Sequence, residues 1–392
     1  MKRIPTLQPG QEAIPGYRLK QLVGRGGFGE VWQADAGSTT VALKFMPFNN
    51  SLAAAKEIRA IQHLRQLGHP GLIHIEKVWS VPGHVVICME LAEGSLQDLY
   101  QTYQSELGTP LPVDQVLDYL SQAAQTLDFL NTRQHLIDGQ KLGIQHADVK
   151  PSNLLLIGDT VKLCDFGLAT PTAAQYRAHR RQGTPDYAAP EVFAGQLSNQ
   201  TDQYALAVTY CVLRTGRLPY PEMGTMRRSW PARRPDPDLS MLTPGEQPVV
   251  ARGLRRVPTE RWPSCGEMMG NLANALNMGA PVAIEPPAGV TEERRLSPRF
   301  SFKEGTHCTV TEGGESVFMT ARDISQRGIG LKSDRPLENG TGVVIHVPGH
   351  LDPPRSLRGR VRHSTQHDGR GWLVGCMLVE KLSDHDIAAL VG

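Results

Sequence analysis

The strongest constraint on this chain is a short run near its middle, His146-Ala-Asp148-Val-Lys150-Pro-Ser-Asn153, followed twelve residues later by Asp165-Phe-Gly167. Two apolar pieces, 154–157 and 161–164, lie between and flank a Gly158-Asp159 turn, so the interval reads as strand, turn, strand. Carboxylates at 148 and 165, an ammonium at 150 and an amide at 153 crowd around that interval. A second cluster lies upstream, where Gly24-Arg-Gly-Gly-Phe-Gly-Glu-Val31 separates two strand-like stretches. Glycines at such a place let backbone N–H groups approach a triphosphate without side-chain clash. Lys44 follows on a third strand, Val41-Ala-Leu-Lys44, and Glu57 on the next segment is within reach of it as an ion pair.

The surrounding pattern changes texture twice. Residues 17–48 alternate and predict three antiparallel strands. Residues 51–67 predict a helix capped by Ser51, with Ile58, Ile61, Leu64 and Leu67 as its apolar stripe. Strands follow near 73–79 and 84–90, helical spacing runs from about 95 to 135, and helical patterns resume after 200. The stretch Gln134–Lys141 reads as a hairpin or glycine-centred turn. Pro281, Pro286 and Pro287 make 278–291 an extended linker. Beyond it, short strands are expected at 306–311, 316–322, 328–332, 342–347, 357–364 and 371–379, with a closing helix at 383–391. Six short strands in so few residues predict a small barrel.

With Ala189-Pro-Glu191 added, the first constellation resembles the protein kinases in the order and spacing of six elements, over roughly residues 17–276. The resemblance implies a bilobal fold, with one lobe over 17–92 and the other over 93–277, after an extension at 1–16. It implies that Asp148 orients the attacking hydroxyl and accepts its proton, and that Lys150 balances charge on the γ-phosphate. Lys44, fixed by Glu57, would hold the α- and β-phosphates. Asn153 and Asp165 offer the hard oxygen ligands that suit Mg²⁺. ATP would be covered by the loop through Val23, Gly24, Gly26, Gly27, Phe28 and Gly29. Val31 and Ala42 would lie on the adenine face, Met89 would be the gatekeeper, and the Glu90 carbonyl and Ala92 amide would meet the adenine edge.

Other matching residues read as scaffold. His146 would orient the catalytic loop, Asp202 would brace it, and Glu191 would pair with Arg261. Lys150 after Asp148, together with Gly183-Thr184-Pro, resembles the serine/threonine branch, with Thr184 beside Asp148 and Lys150 as a substrate-positioning residue. The sequence departs from the family pattern at Ala147, where regulated members carry an arginine that pairs with a phosphorylated loop. Phosphorylation of Thr170 and Thr172 is therefore not expected to be required.

The second constellation comprises Arg294-Arg295-Leu-Ser-Pro-Arg299 and Asp323-Ile-Ser325-Gln-Arg-Gly328. It resembles the PilZ domain, over about 292–392, which implies a six-stranded barrel that binds cyclic di-GMP. Arginine suits such a ligand because it binds phosphate bidentately and either stacks on guanine or reads its edge. Arg294, Arg295 and Arg299 would wrap the ligand from an arm before the barrel. Asp323 and Ser325 would share one strand face and meet guanine N–H groups, while Gly328 permits close approach.

The expected fold class is therefore α+β, a bilobal protein kinase fold followed by a small six-stranded β-barrel. The expected function is bacterial-type serine/threonine protein phosphorylation with ATP and Mg²⁺, regulated or localised by cyclic di-GMP. The alternatives are a pseudokinase, or an adaptor that binds nucleotide or partner without turnover. Protein substrates are the expected partners. Nucleic acid is not, since the net charge of +2 is spread evenly to either side of residue 290. No apolar run approaches the ~20 residues of a spanning helix. Six scattered cysteines without a Cys-x-x-Cys pair, and no secretory leader, point to a reduced, cytoplasmic compartment.

Overall fold

The structure is a computed structural model. It describes residues 7–26, 29–37, 39–47, 58, 61, 65, 67–137, 139–166, 170–171, 184–220, 235–278, 300–303, 305–338, 340–347, 356–367 and 371–391. The chain divides into two compact units. One comprises 1–92, 111–155 and 161–287, the other 93–110, 156–160 and 288–392.

Alternation builds the first sheet. Strands β1 (Arg18–Gly26), β2 (Gly29–Ala36), β3 (Thr39–Pro47), β4 (Ile75–Val81) and β5 (His84–Glu90) are antiparallel in the order β1-β2-β3-β5-β4. One face carries Leu19, Trp32, Ala34, Val41, Leu43, Phe45, Val86 and Cys88 and is buried as a core with Ile14 and Tyr17. Residues one position along in the pleat face the other way. Cross-strand pairing therefore puts Val31, Lys44 and Ile87 in one row, and Ala42 and Met89 in the next, on the opposite face. The helix expected at 51–67 is described only at Ile58, Ile61 and Arg65, which are helical, and at Leu67; Ser51 and Glu57 lie outside the described residues.

Strand β6 (Gly94–Ser95) and helix α1 (Leu96–Leu107) belong to the second unit. Ser95 caps α1 reciprocally with Asp98, and Gly108 ends it in the left-handed region at φ 64°. Back in the first unit, helix α2 (Val113–Asn131) is buried on most of its circumference because other helices pack around it. Strands β7 (His135–Ile137) and β8 (Gln140–Leu142) form the short hairpin expected before the His146–Asn153 run. Strand β9 (Ile144–Gln145) leads into that run. Strands β10 (Leu154–Ile157) and β11 (Thr160–Leu163) are the predicted hairpin, and β12 (Thr170–Pro171) pairs with β9.

Among the described residues, four further helices lie in the first unit: α3 (Pro190–Phe193), α4 (Thr201–Thr215), α5 (Glu246–Gly253) and α6 (Cys265–Ala275). Helix α2 packs against α4 and α6. Asp128 on α2 accepts the Cys265 and Gly266 N–H groups at 2.8 Å each, so it satisfies two orphan donors at the start of α6.

In the second unit β13 (Phe300–Ser301) precedes six longer strands: β14 (His307–Glu312), β15 (Glu315–Ile324), β16 (Gly328–Ser333), β17 (Gly342–His346), β18 (Leu357–His367) and β19 (Gly371–Leu378). The order is β13-β15-β14-β17-β18-β19-β16, and a β15–β16 pairing closes the six into a barrel. Alternate residues such as Val310, Met319, Ile329, Leu331, Ile345, Val361 and Cys376 fill its interior. Helix α7 (Asp384–Val391) adds Ile387 and Leu390 to that core. The expected barrel is present, and β13 is an addition, pairing Phe300 with Ile324 and Ser301 with Asp323. Of the 278–291 linker only Met278 is described. Among the described residues no helix is long and apolar enough to cross a membrane.

Candidate functional site

The His146–Asn153 run hangs from a buried carboxylate. Asp202, on the first turn of α4, is fully buried. Its two oxygens accept the His146 N–H at 2.7 Å and the Ala147 N–H at 2.8 Å. Ala147 has φ 63°, a left-handed conformation that costs an L-residue about 1–2 kcal/mol. The double grip of Asp202 stabilises that backbone. Burial pushes the Asp202 carboxyl up, and the two N–H donors counter part of the shift.

His146 is buried against Phe166, with ring centroids 4.7 Å apart. Its Nδ1 accepts the Asp148 N–H at 3.3 Å, and Nε2 lies 2.8 Å from the Cys164 carbonyl oxygen. One ring nitrogen must accept and the other donate, so the proton sits on Nε2. The imidazole thereby ties the run to the foot of β11.

Asp148 is 4% exposed and gathers four donors. One carboxylate oxygen takes Lys150 Nζ at 2.7 Å and Asn153 Nδ2 at 2.9 Å. The other takes the Thr184 N–H at 3.0 Å and the Thr184 hydroxyl at 3.2 Å. Lys150 Nζ also donates to Thr184 Oγ1 at 2.6 Å. The structure thus brings Asp148, Lys150, Asn153 and Thr184 into one cluster.

The hairpin sets the next group. The Cys164 N–H donates to the Asn153 carbonyl at 3.1 Å, so Asn153 and Asp165 lie side by side at its two feet. Asp165 adopts φ 63° and accepts Lys44 Nζ at 2.7 Å, from a residue 121 positions away. Burial would raise the Asp165 carboxyl, but the Lys44 ammonium, with Lys150 beyond it, holds it below the ordinary carboxylate range. Lys44 therefore meets Asp165; the expected partner Glu57 lies outside the described residues.

The donor set fits Mg²⁺. A carboxylate and an amide lie at the two feet of the β10–β11 hairpin, and Asn153 turns its NH₂ toward Asp148, which directs its Oδ1 the other way. Among the described residues no group of three or more His, Cys, Asp or Glu could hold a metal unaided. A cation here would complete its shell with phosphate oxygens and water, as Mg²⁺ commonly does.

The glycine-rich turn is described at Val23, Gly24, Gly26 and Gly29; Gly27 and Phe28 lie outside the described residues. A Cβ on Gly24 or Gly26 would meet nothing within 4 Å. Gly29 differs, because at φ 127° its Cβ would lie 1.9 Å from the Phe45 carbonyl oxygen. The fold itself requires that glycine. Val31, Ala42, Lys44 and Met89 share a sheet face, and Ile87, unremarked in the sequence, joins them. Glu90 ends β5 and Ala92 follows it.

Glu191 and Arg261 form the expected buried pair, with NH1 2.7 Å from Oε1 and NH2 2.9 Å from Oε2. Arg261 also donates to the carbonyls of Gln200 and Arg255.

In the barrel, Arg294, Arg295 and Arg299 lie outside the described residues. Asp323 accepts Arg322 Nε at 2.5 Å, and its carboxylate overlies Gly330, where a Cβ would approach it to 2.7 Å. Gly330 is a requirement the sequence reading missed. Ser325 was expected to share a strand face with Asp323 and does not. Strand β15 ends at Ile324, and Ser325 opens a turn closed by its N–H on the Gly328 carbonyl at 2.8 Å. Its hydroxyl is buried and points at that same carbonyl.

Residues 17–244 match the family described as protein kinase domain, and residues 293–392 match the PilZ domain. Similar curated proteins include Serine/threonine-protein kinase PknH of Mycobacterium bovis, 32% identical over 267 residues that span 64% of this chain and 42% of that protein. Serine/threonine-protein kinase PknD of Mycobacterium tuberculosis is 30% identical over 269 residues, 64% of this chain and 38% of that protein. Serine/threonine-protein kinase Pkn1 of Myxococcus xanthus is 29% identical over 282 residues, 66% and 38% respectively. The chain thus spans about two fifths of the length of these relatives.

Proposed function

Since the chain belongs to the protein kinase family, matched over residues 17–244, we propose that it transfers the γ-phosphoryl group of ATP to serine and threonine hydroxyls of proteins. The observation that carries this reading is the cluster of Asp148, Lys150, Asn153 and Thr184 beside the Lys44–Asp165 pair. Phosphoryl transfer needs little covalent chemistry from the protein; positioning and charge neutralisation dominate.

Asp148 directs the acceptor hydroxyl and takes its proton as the hydroxyl oxygen bonds to the γ-phosphorus. The bond from that phosphorus to the β–γ bridging oxygen breaks, and ADP leaves with the electron pair. Lys150 neutralises charge on the transferred group, and Lys44 reaches the α- and β-phosphates from the sheet face that also carries Val31, Ala42 and Met89. Asn153 and Asp165 are the residues that would hold Mg²⁺, which when bound neutralises charge on the phosphates. The Glu90 carbonyl and Ala92 N–H serve the adenine edge, under the loop from Val23 to Gly29. Thr184, bonded to both Asp148 and Lys150, supports the serine/threonine assignment, as do the names of the relatives. The test is γ-labelled ATP with a generic protein acceptor, and the label should be recovered on serine and threonine.

Ala147 removes the cation that a phosphorylated loop would need, and Asp202 secures the run without it. A Thr170→Ala/Thr172→Ala variant should keep its initial rate within about twofold of the parent chain. A loss of tenfold or more in that assay would show that a loop phosphate is required.

For residues 292–392, cyclic di-GMP binding, with regulation or localisation of the kinase as its consequence, is the function that the PilZ match supports best. Asp323 and Gly328 stand at one end of the barrel strands, and the arginine arm precedes them in sequence. Arg295→Ala should abolish the calorimetric heat of cyclic di-GMP binding while the melting profile stays unchanged. Retained binding in that variant would remove the arm from the site.

A further inference from the structure

A buried ion pair links the two ends of the proposed nucleotide site. Lys162 lies on β11, three residues before Asp165. Its Nζ is 2.7 Å from Glu90 Oε1, and the two side chains are 9% and 14% exposed. Glu90 is the last residue of β5, and its backbone carbonyl is the one assigned to adenine. One pair of charged side chains thus spans from the adenine edge to the strand that delivers the metal ligand.

The backbone beside this pair is spliced with equal care. Residues 71–74 run between the two elements. The Leu163 N–H donates to the Gly71 carbonyl at 2.8 Å, and the Ile73 N–H donates to the Leu163 carbonyl at 3.0 Å. On the other side, the Glu90 N–H donates to the His74 carbonyl at 3.1 Å, and the His74 N–H returns a bond to Glu90 Oε1 at 2.7 Å. Gly71 is pressed on α2 so closely that a Cβ would lie 1.9 Å from Thr126 Oγ1. The Glu90 carboxylate is therefore shared between a backbone N–H of this splint and the Lys162 ammonium.

Such an arrangement has an energetic consequence. A buried charge pair that loses one partner leaves the other uncompensated, and the surviving group moves toward water. Here that movement would pull Glu90 away from β11 and change the spacing between the adenine edge and Asp165. ATP meets both at once, through its base and through its phosphates, so its affinity depends on that spacing.

We propose that Lys162 and Glu90 act as a positioning pair that sets the separation between the adenine-binding and metal-binding ends of the nucleotide site. Neither side chain touches the reacting atoms. The inference rests on the nucleotide-site reading given above.

The test uses the intact chain and reads two quantities: the KM and kcat for ATP in protein phosphorylation, and the Kd of a fluorescent ATP analogue in Mg²⁺ buffer. Lys162→Met should raise both KM and Kd about tenfold, with kcat held within about twofold, and Glu90→Gln should raise Kd about tenfold. The double variant should be no weaker than either single one, because the two residues act as a unit. Lys162→Arg should return Kd to within about threefold of the parent chain. Lys162→Gln keeps a hydrogen bond without the charge, and it serves if the methionine variant does not fold. Unchanged Kd and KM with lowered thermal stability would overturn the proposal, leaving the pair a structural brace. A tenfold rise in Kd in a chain that shows no transfer would support the positioning pair and sink the transferase reading instead.

Discussion

Asp148→Asn should lower the rate of phosphate transfer by about 10²–10⁴-fold, the range associated with losing a positioned acid–base group. The amide keeps the size of the carboxylate but cannot take the hydroxyl proton. It also disturbs the neighbours. Lys150 Nζ and Asn153 Nδ2 both donate to one oxygen of Asp148, while Thr184 donates twice to the other. An amide offers one acceptor and one donor, so one of those pairs would face a donor and must rearrange. Nucleotide binding should survive, because Lys44, Asp165 and the sheet face lie apart from this change. The expected result is a kcat near background with the Kd for a fluorescent ATP analogue within about threefold of the parent chain. Equal label incorporation by variant and parent would show that the observed transfer comes from another enzyme.

Arg261→Ala should cost about 3–5 kcal/mol of stability, the range for breaking a buried ion pair by removing one partner. Arg261 is 2% exposed, and its guanidinium satisfies both oxygens of Glu191 and the carbonyls of Gln200 and Arg255. Truncation leaves a carboxylate whose side chain is only 9% exposed, with Thr201 Oγ1 its remaining side-chain donor among the described residues. Arg261→Lys should recover only part of the loss, since an ammonium cannot bridge both carboxylate oxygens in a planar fork. Chemical denaturation of both variants measures the effect, and a loss under about 1 kcal/mol for the alanine variant would contradict it.

How far the structure was legible from sequence depended on range. The strands of the first sheet, the β10–β11 hairpin and the six barrel strands are written in local alternation and turn residues, so they could be placed within a few positions. The Asp148 cluster was legible for the same reason: Asp148, Lys150 and Asn153 lie within six residues. Pairings across long separations were harder. Motif order placed Glu191 with Arg261, but Lys44 meets Asp165 and Lys162 meets Glu90 across 121 and 72 residues. No periodicity encodes either contact; both arise from tertiary packing between separate elements.

Ser325 shows a second limit. Counting by twos from Asp323 puts Ser325 on the same face, but that count holds only while the strand continues. The strand stops at Ile324, and the Ser325 N–H closes a turn onto Gly328. Glycine requirements were also hidden. Gly29 and Gly330 lack room for a Cβ because of Phe45 and Asp323, partners that only tertiary structure supplies.

The most direct measurement is the initial rate of γ-labelled phosphate transfer from Mg²⁺-ATP to a generic protein by the intact chain, with Asp148→Asn as the blank and cyclic di-GMP titrated in. The predicted result is a rate at least a hundredfold above the blank that changes saturably with cyclic di-GMP. A rate equal to the blank across a panel of protein acceptors would contradict the assignment of transfer to the Asp148 cluster. A high rate that ignores cyclic di-GMP would contradict regulation by the barrel alone.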